Sequence, residues 1–131
     1  SPPPPPWIPA SEGSVRLVNG QSLADGRLEI LHAGQWGRVC YRAFDRLDAT
    51  VVCRQLGYGH ALNWGRAIYY AQPLGRGEGP MWMSNVGCSG DELRLIDCPT
   101  QGHCQGNSED VYVECSNQPP KPPPPPPPPP S

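Results

Sequence analysis

The residues best placed to do chemistry are six cysteines, Cys40, Cys53, Cys88, Cys98, Cys104 and Cys115. Thiols in this number ligate a metal, shuttle electrons or cross-link the chain. Tetrahedral zinc sites present close pairs of the type Cys-x₂₋₄-Cys. Here the intervening stretches are 12, 34, 9, 5 and 10 residues. Cys98 and Cys104, with His103 beside them, come nearest, so no metal site is expected. There is no Cys-x-x-Cys, the spacing of a redox dithiol. Cross-linking remains: an even cysteine count in a small, loop-rich segment points to disulfides and an oxidising, extracellular location, whether secreted, at the cell surface or in a cell wall. Six cysteines allow 15 pairings, and the residues alone leave them open. Cys88 and Cys98 flank a segment short enough to be closed locally, whereas Cys53 must reach something distant.

No other group suggests catalysis. His32, His60 and His103 are scattered, and no Ser/His/Asp set or paired carboxylates stand in a recognisable context, so the chain is not expected to be an enzyme. The net charge of −2 carries no basic run, which argues against nucleic acid. Lys121 is the sole lysine; the other positive charges are nine arginines, whose planar forks suit carboxylate, sulfate or phosphate. No apolar run has the ~20 residues of a membrane span. No Asn-x-Ser/Thr sequon occurs, so glycosylation would be O-linked. The opening Ser1-Pro2 has no signal-peptide pattern, as expected of a mature product or an excerpt.

The elements that would position the cysteines are short. Val15 to Val18 reads as a strand. Gly26 to His32 alternates, with Leu28 and Ile30 on one face and Arg27 and Glu29 on the other. A turn at Ala33-Gly34-Gln35 returns the chain through Trp36 to Cys40. Asp45 to Leu56 is the helix candidate: Asp45 caps it, Asp48 completes a capping box, and Gly57 stops it in a left-handed conformation. Ala61 to Tyr70 and Met81 to Val86 read as strands, Gln72 to Gly79 as a loop, Asp91 to Asp97 as one or two helical turns, and Val111 to Glu114 as a last strand. The class is α+β, a curved antiparallel sheet packed on one helix.

Proline marks the boundaries. Of 20 prolines, 17 lie at Pro2 to Pro9 or from Pro119 onward. The expected organisation is a linker at 1–13, a domain at 14–116 and a tract at 117–131. The tracts should form polyproline II, stiff rods with solvated carbonyls. Serine followed by unbroken proline resembles the hydroxyproline-rich glycoproteins of plant and algal walls. That resemblance implies hydroxylation and O-linked glycans at Pro2, Pro3, Pro4, Pro5 and Pro6, and at Pro122, Pro123, Pro124, Pro125, Pro126, Pro127, Pro128, Pro129 and Pro130. Tracts on both sides suggest a repeating bead-and-rod chain or a fibre subunit.

Gly26-Arg27-Leu28-Glu29-Ile30 and Gly34-Gln35-Trp36-Gly37-Arg38-Val39-Cys40, then Asp48 to Tyr58 (DATVVCRQLGY), Gly79-Pro80-Met81-Trp82, Asn85 to Leu93 (NVGCSGDEL) and Ser108 to Cys115 resemble a scavenger receptor cysteine-rich (SRCR) domain of the six-cysteine type, group A. The resemblance implies a sheet cradling one helix, and the pairs Cys40–Cys104, Cys53–Cys115 and Cys88–Cys98. Many members bind calcium through two acids after the first cysteine and a later glutamate. Here those positions are Tyr41, Arg42 and Glu109, and a further acidic position is Ser84, so calcium is expected to bind weakly or not at all, with Arg42 pairing Glu109 in its place. The Gly26–Leu31 segment with Trp36 resembles one implicated in microbial-surface binding, which would expose Arg27 and Glu29; the plainer expectation is an amphipathic edge strand with Trp36 in the core. Trp64, Tyr69, Tyr70 and Trp82 are expected to pack internally. The function expected is a non-catalytic extracellular module in a proline-rich structural glycoprotein, contacting protein or glycan. The alternative is a scavenger-type module for polyanionic or microbial ligands.

Overall fold

The longest strand, β2 (Asp25–His32), is hydrogen-bonded along both edges in a computed structural model that describes residues 11–67, 79–104, 110–117 and 125–130. β1 (Val15–Asn19) runs antiparallel along one edge, Val15 opposite Ile30 and Asn19 opposite Gly26. The other edge is divided. β3 (Gln35–Val39) takes Glu29 to His32, and β6 (Val111–Ser116) takes Asp25 to Arg27. Sharing one edge between two strands splays them, so the sheet curls. β4 (His60–Arg66) lies antiparallel on β6, and β5 (Met81–Met83) lies beside β3, giving the order β4-β6-β2-β3-β5 with β1 off the path. The β3–β5 pair is parallel, so the sheet is mixed rather than antiparallel throughout. β2 is an interior strand, which corrects the edge-strand expectation.

The helix α1 (Arg46–Gln55) forms where the capping residues put it. Asp45 accepts the Leu47 and Asp48 N–H groups, and Asp48 accepts the Asp45 N–H in return. Leu56 closes the helix and Gly57 follows at φ +95°. Its buried stripe, Ala49, Val51, Val52 and Cys53, packs with Leu28 and Ile30 of β2 and with Val39, Val111, Val113 and Leu95. Each such aliphatic side chain contributes about 1.5–3 kcal/mol on burial. The helical turns expected at Asp91 to Asp97 shrink to one 3-10 turn, Leu95–Asp97. Pro99 disfavours helix at Cys98, which is extended (φ −78°, ψ 145°). The Met81 to Val86 strand likewise stops at Met83, and β4 ends at Arg66; the rest of the Ala61 to Tyr70 expectation, with Tyr69 and Tyr70, lies outside the described residues, as does most of the Gln72 to Gly79 loop.

Three disulfides join the layers: Cys40–Cys104, Cys53–Cys115 and Cys88–Cys98, with sequence separations of 64, 62 and 10. On chain-entropy grounds the two long closures stabilise the fold by about 4 kcal/mol each. Cys53–Cys115 ties α1 to β6, and Cys40–Cys104 ties the end of β3 to the segment before β6.

The chain enters and leaves at opposite ends of β2. Gly13 donates to the Leu31 carbonyl, and the Glu12 carboxylate meets His32 Nδ1. At the other end, Cys115 donates to the Ala24 carbonyl, and Asn117 Oδ1 accepts the Gly59 N–H. Seven strand steps between Asp25 and His32 separate these ends by about 24 Å. Pro125 to Pro130 are exposed, while Pro2 to Pro6 and Pro122 to Pro124 lie outside the described residues.

Candidate functional site

The side of β2 that carries Arg27 and Glu29 is a covered ion network. Arg27 is 7% exposed and Glu29 6%, which overturns the expectation of an exposed face. The cause is the interior position of β2, whose neighbours on both edges lay long side chains over it. Glu29 is clamped between two guanidinium groups: Arg16 Nη2 at 2.7 Å from Oε1 and Arg27 Nη2 at 3.3 Å from Oε2. Arg16 also lies over the Trp36 ring, 4.0 Å from its centroid, so Trp36 is a half-buried platform on this side rather than a core residue. Beside it, Arg38 Nη1 stands 3.7 Å from Asp110 Oδ1, and Arg38 Nε donates to the Gly79 carbonyl. Tyr112 donates its hydroxyl to Asp25 Oδ2 at 3.2 Å. Charges held this way are structural: each is committed to an internal partner.

Trp82 packs on the opposite side of the sheet, where Gly37 makes room for it. A Cβ at Gly37 would stand 2.3 Å from Trp82 Cδ1. Its indole N–H donates to the Gln35 carbonyl, and His32 meets the ring edge-on at 4.7 Å. Trp64 and Trp82 are half-buried against the core, in keeping with their expected packing role.

The position that the resemblance associates with calcium has different chemistry here. Tyr41 is half-buried, and the Arg66 guanidinium lies 5.3 Å from its ring centroid. Ser84 is buried, and Asp110, the carboxylate at this end of β6, faces Arg38. A cation already occupies the aromatic face where a carboxylate would be needed, and calcium requires several oxygen ligands. These residues do not fit the ion. Arg42 is exposed, and its expected partner Glu109 lies outside the described residues. Cys88, Glu92 and Cys98 approach one another, but both thiols are spent in one disulfide.

The sequence profile of the scavenger receptor cysteine-rich domain matches residues 18–116. The chain belongs to the SRCR family. Among solved structures, the third SRCR domain of murine neurotrypsin is similar with a TM-score of 0.68 and 40% identity, over 78% of this chain and 94% of that one. The SRCR domain of mouse MARCO, in its dimeric form, gives 0.60 and 36% over 78% and 94%. Lysyl oxidase homolog 4 from Homo sapiens is 47% identical over 119 residues, 86% of this chain and 15% of that protein. Galectin-3-binding protein from Rattus norvegicus is 43% identical over 113 residues, 82% of this chain and 19% of that protein. The chain therefore spans less than a fifth of these curated relatives. The SRCR domain is an extracellular, non-catalytic binding module, and the similarity to the lysyl oxidase homolog covers 15% of that protein. No helix among the described residues is long and apolar enough to cross a membrane.

Two of the nine arginines lie on the helix itself. Arg46 and Arg54 stand eight residues apart on α1, with Thr50 midway, and both are exposed. Their eight-residue spacing, just over two helical turns, was the available signal. The contacts Arg38–Asp110 and Arg66–Tyr41 join residues distant in sequence and had none.

Proposed function

We propose that this SRCR domain is a contact module set in line within a proline-rich, O-glycosylated structural glycoprotein of a cell wall, matrix or fibre, touching extracellular protein or glycan. The observation that carries this reading is the path of the chain, which enters beside His32 and leaves beyond Asp25, about 24 Å apart along β2. Attachment points at opposite ends of β2 let tension along the chain pass through the sheet and its disulfides. Cys53–Cys115 anchors the exit strand to the helix, which suits a link that is pulled. The commitment of Arg27 and Glu29 to each other, and of Glu29 to Arg16, counts against the alternative in which Arg27 and Glu29 meet a microbial surface.

Small-angle scattering of the full chain tests the geometry. The expected maximum dimension exceeds the domain by both tracts, the nine-proline run alone adding about 28 Å. A value no larger than the domain plus one tract would sink the in-line arrangement. Intact-mass analysis of native material tests the glycoprotein part, with pentose or hexose increments expected on the proline-tract peptides; their absence removes it.

A further inference from the structure

The chain enters the fold at the rim of an apolar pocket. The pocket has a volume of about 150 Å³ and is lined by Ile30, His32, Trp82, Met83, Ile96 and Thr100. That space suits one benzene-sized group. Ile30 and Met83 are buried, Trp82 and Ile96 half-buried, and His32 and Thr100 exposed, so the floor is closed and the mouth meets solvent. The Trp82 indole N–H is committed to the Gln35 carbonyl, and His32 Nδ1 meets Glu12. The two rings therefore offer an occupant apolar surface more than hydrogen bonds.

Residues 11–14 are held against the same wall. Ser14 donates its N–H to the Ser11 carbonyl, closing a turn. Arg94 donates to the Glu12 carbonyl, and Gln55 to the Gly13 carbonyl. Gly13 lies so near Ile96 that a Cβ would stand 2.9 Å from Ile96 Cγ2. Glu12 and Gly13 thus touch two residues of the pocket, His32 and Ile96, just before β1 begins.

The ten residues ahead of this turn are uncharged, and Trp7-Ile8 interrupts their proline. A solvated rod has no use for an indole, so Trp7 breaks the pattern around it. It stands four residues before Ser11, within about 14 Å of it along an extended chain. Residues 117–131 fit the pocket less well. They contain no aromatic or aliphatic side chain besides proline, and they leave the fold beyond Asp25, at the far end of β2.

We propose that the segment Trp7-Ile8-Pro9 docks on its own domain, with the Trp7 ring seated in the pocket between Trp82, His32 and Ile96. Aromatic side chains bury a large area and pack well edge-on or offset against other rings. The short tether holds Trp7 at an effective concentration of about millimolar, so a modest contact suffices and segments of other molecules compete poorly. Docking fixes the root of the N-terminal proline tract, which then departs from the pocket mouth. The inference goes beyond the contact-module reading and holds whether or not the prolines carry glycans.

The test is proton NMR of the full chain at two concentrations about tenfold apart. Cross-peaks between the Trp7 indole and the methyl groups of Ile96 and Met83 are expected, unchanged on dilution. Trp7→Ser, a change outside the folded elements, should erase them and shift those two methyl signals while leaving Leu23 and Leu62 where they are. A Trp7 indole without contacts to the pocket overturns the proposal, as do cross-peaks to residues elsewhere on the domain. Cross-peaks that fade on dilution, with a dimer in sedimentation, would give the pocket to a second copy and overturn docking within one chain. An added octaproline peptide should leave the parent's Ile96 and Met83 signals unmoved; equal shifts in the parent and in Trp7→Ser would show an open pocket and overturn the proposal as well.

Discussion

Asp48 Oδ1 accepts the backbone N–H of Cys88 at 2.8 Å, fastening the start of α1 to the small loop closed by Cys88–Cys98. The carboxylate is buried, and burial is the main cause that pushes it up to about 6, against the backbone donors of Asp45 and Cys88 that favour the ionised form. A carboxyl whose folded value is raised binds its proton more readily in the folded state than in the unfolded one. Its contribution to stability is therefore greatest below the ordinary value near 3.8 and is lost as pH rises through about 6. Glu12 and Glu92, held low by hydrogen bonds, act in the opposite sense: their contribution is present above about 4.5 and lost as pH falls. Thermal melts should show stability falling between about pH 4 and pH 6, and Asp48→Asn should flatten that slope. An unchanged slope in the variant would assign the pH dependence elsewhere.

Arg66 over Tyr41 leads to a second expectation. The domain should melt at the same temperature in millimolar calcium and in chelator. Arg66→Ala should cost about 0.5–1 kcal/mol, the value of a partly exposed cation–π contact. Replacing Tyr41 and Arg42 with aspartate should create a calcium-dependent rise in melting temperature. A calcium-dependent melt of the parent chain would overturn the account of this corner.

The clamp on Glu29 is a stability element. Glu29→Ala withdraws the carboxylate that Arg16 and Arg27 share, and removing one member of a buried pair costs about 3–5 kcal/mol. Denaturant unfolding should show that loss. A ligand-contact role for Glu29 would instead leave the midpoint unmoved.

The helix was legible because its stop signals are local: Asp45, Asp48 and Gly57 specify both ends with hydrogen bonds and a left-handed φ that need no tertiary context. β2 was legible as a strand but not as an interior one. Alternation at Arg27-Leu28-Glu29-Ile30 states that two faces differ, yet strands on both edges, set by pairings across ninety residues, decide whether the polar face is wet. The same limit hid the partners of the arginines. Asp110, which faces Arg38, lies far along the chain and is brought there by the fold rather than by any local pattern.

Gly37 offers the sharpest test of the β3–β5 corner. Trp82 lies against it so closely that a Cβ would meet Trp82 Cδ1 at 2.3 Å and the Pro80 carbonyl oxygen at 2.5 Å. The carbonyl belongs to backbone that hydrogen-bonds Arg38, so neither neighbour yields cheaply. Gly37→Ala should therefore displace Trp82 from its bond to Gln35 and part the parallel pair, at a cost of about 1–3 kcal/mol. Near-ultraviolet dichroism would report the displaced indole, and Trp82→Ala in the same background should recover part of the loss by vacating the space. A Gly37→Ala protein with parental stability and an unaltered tryptophan spectrum would show that the corner is looser than its geometry.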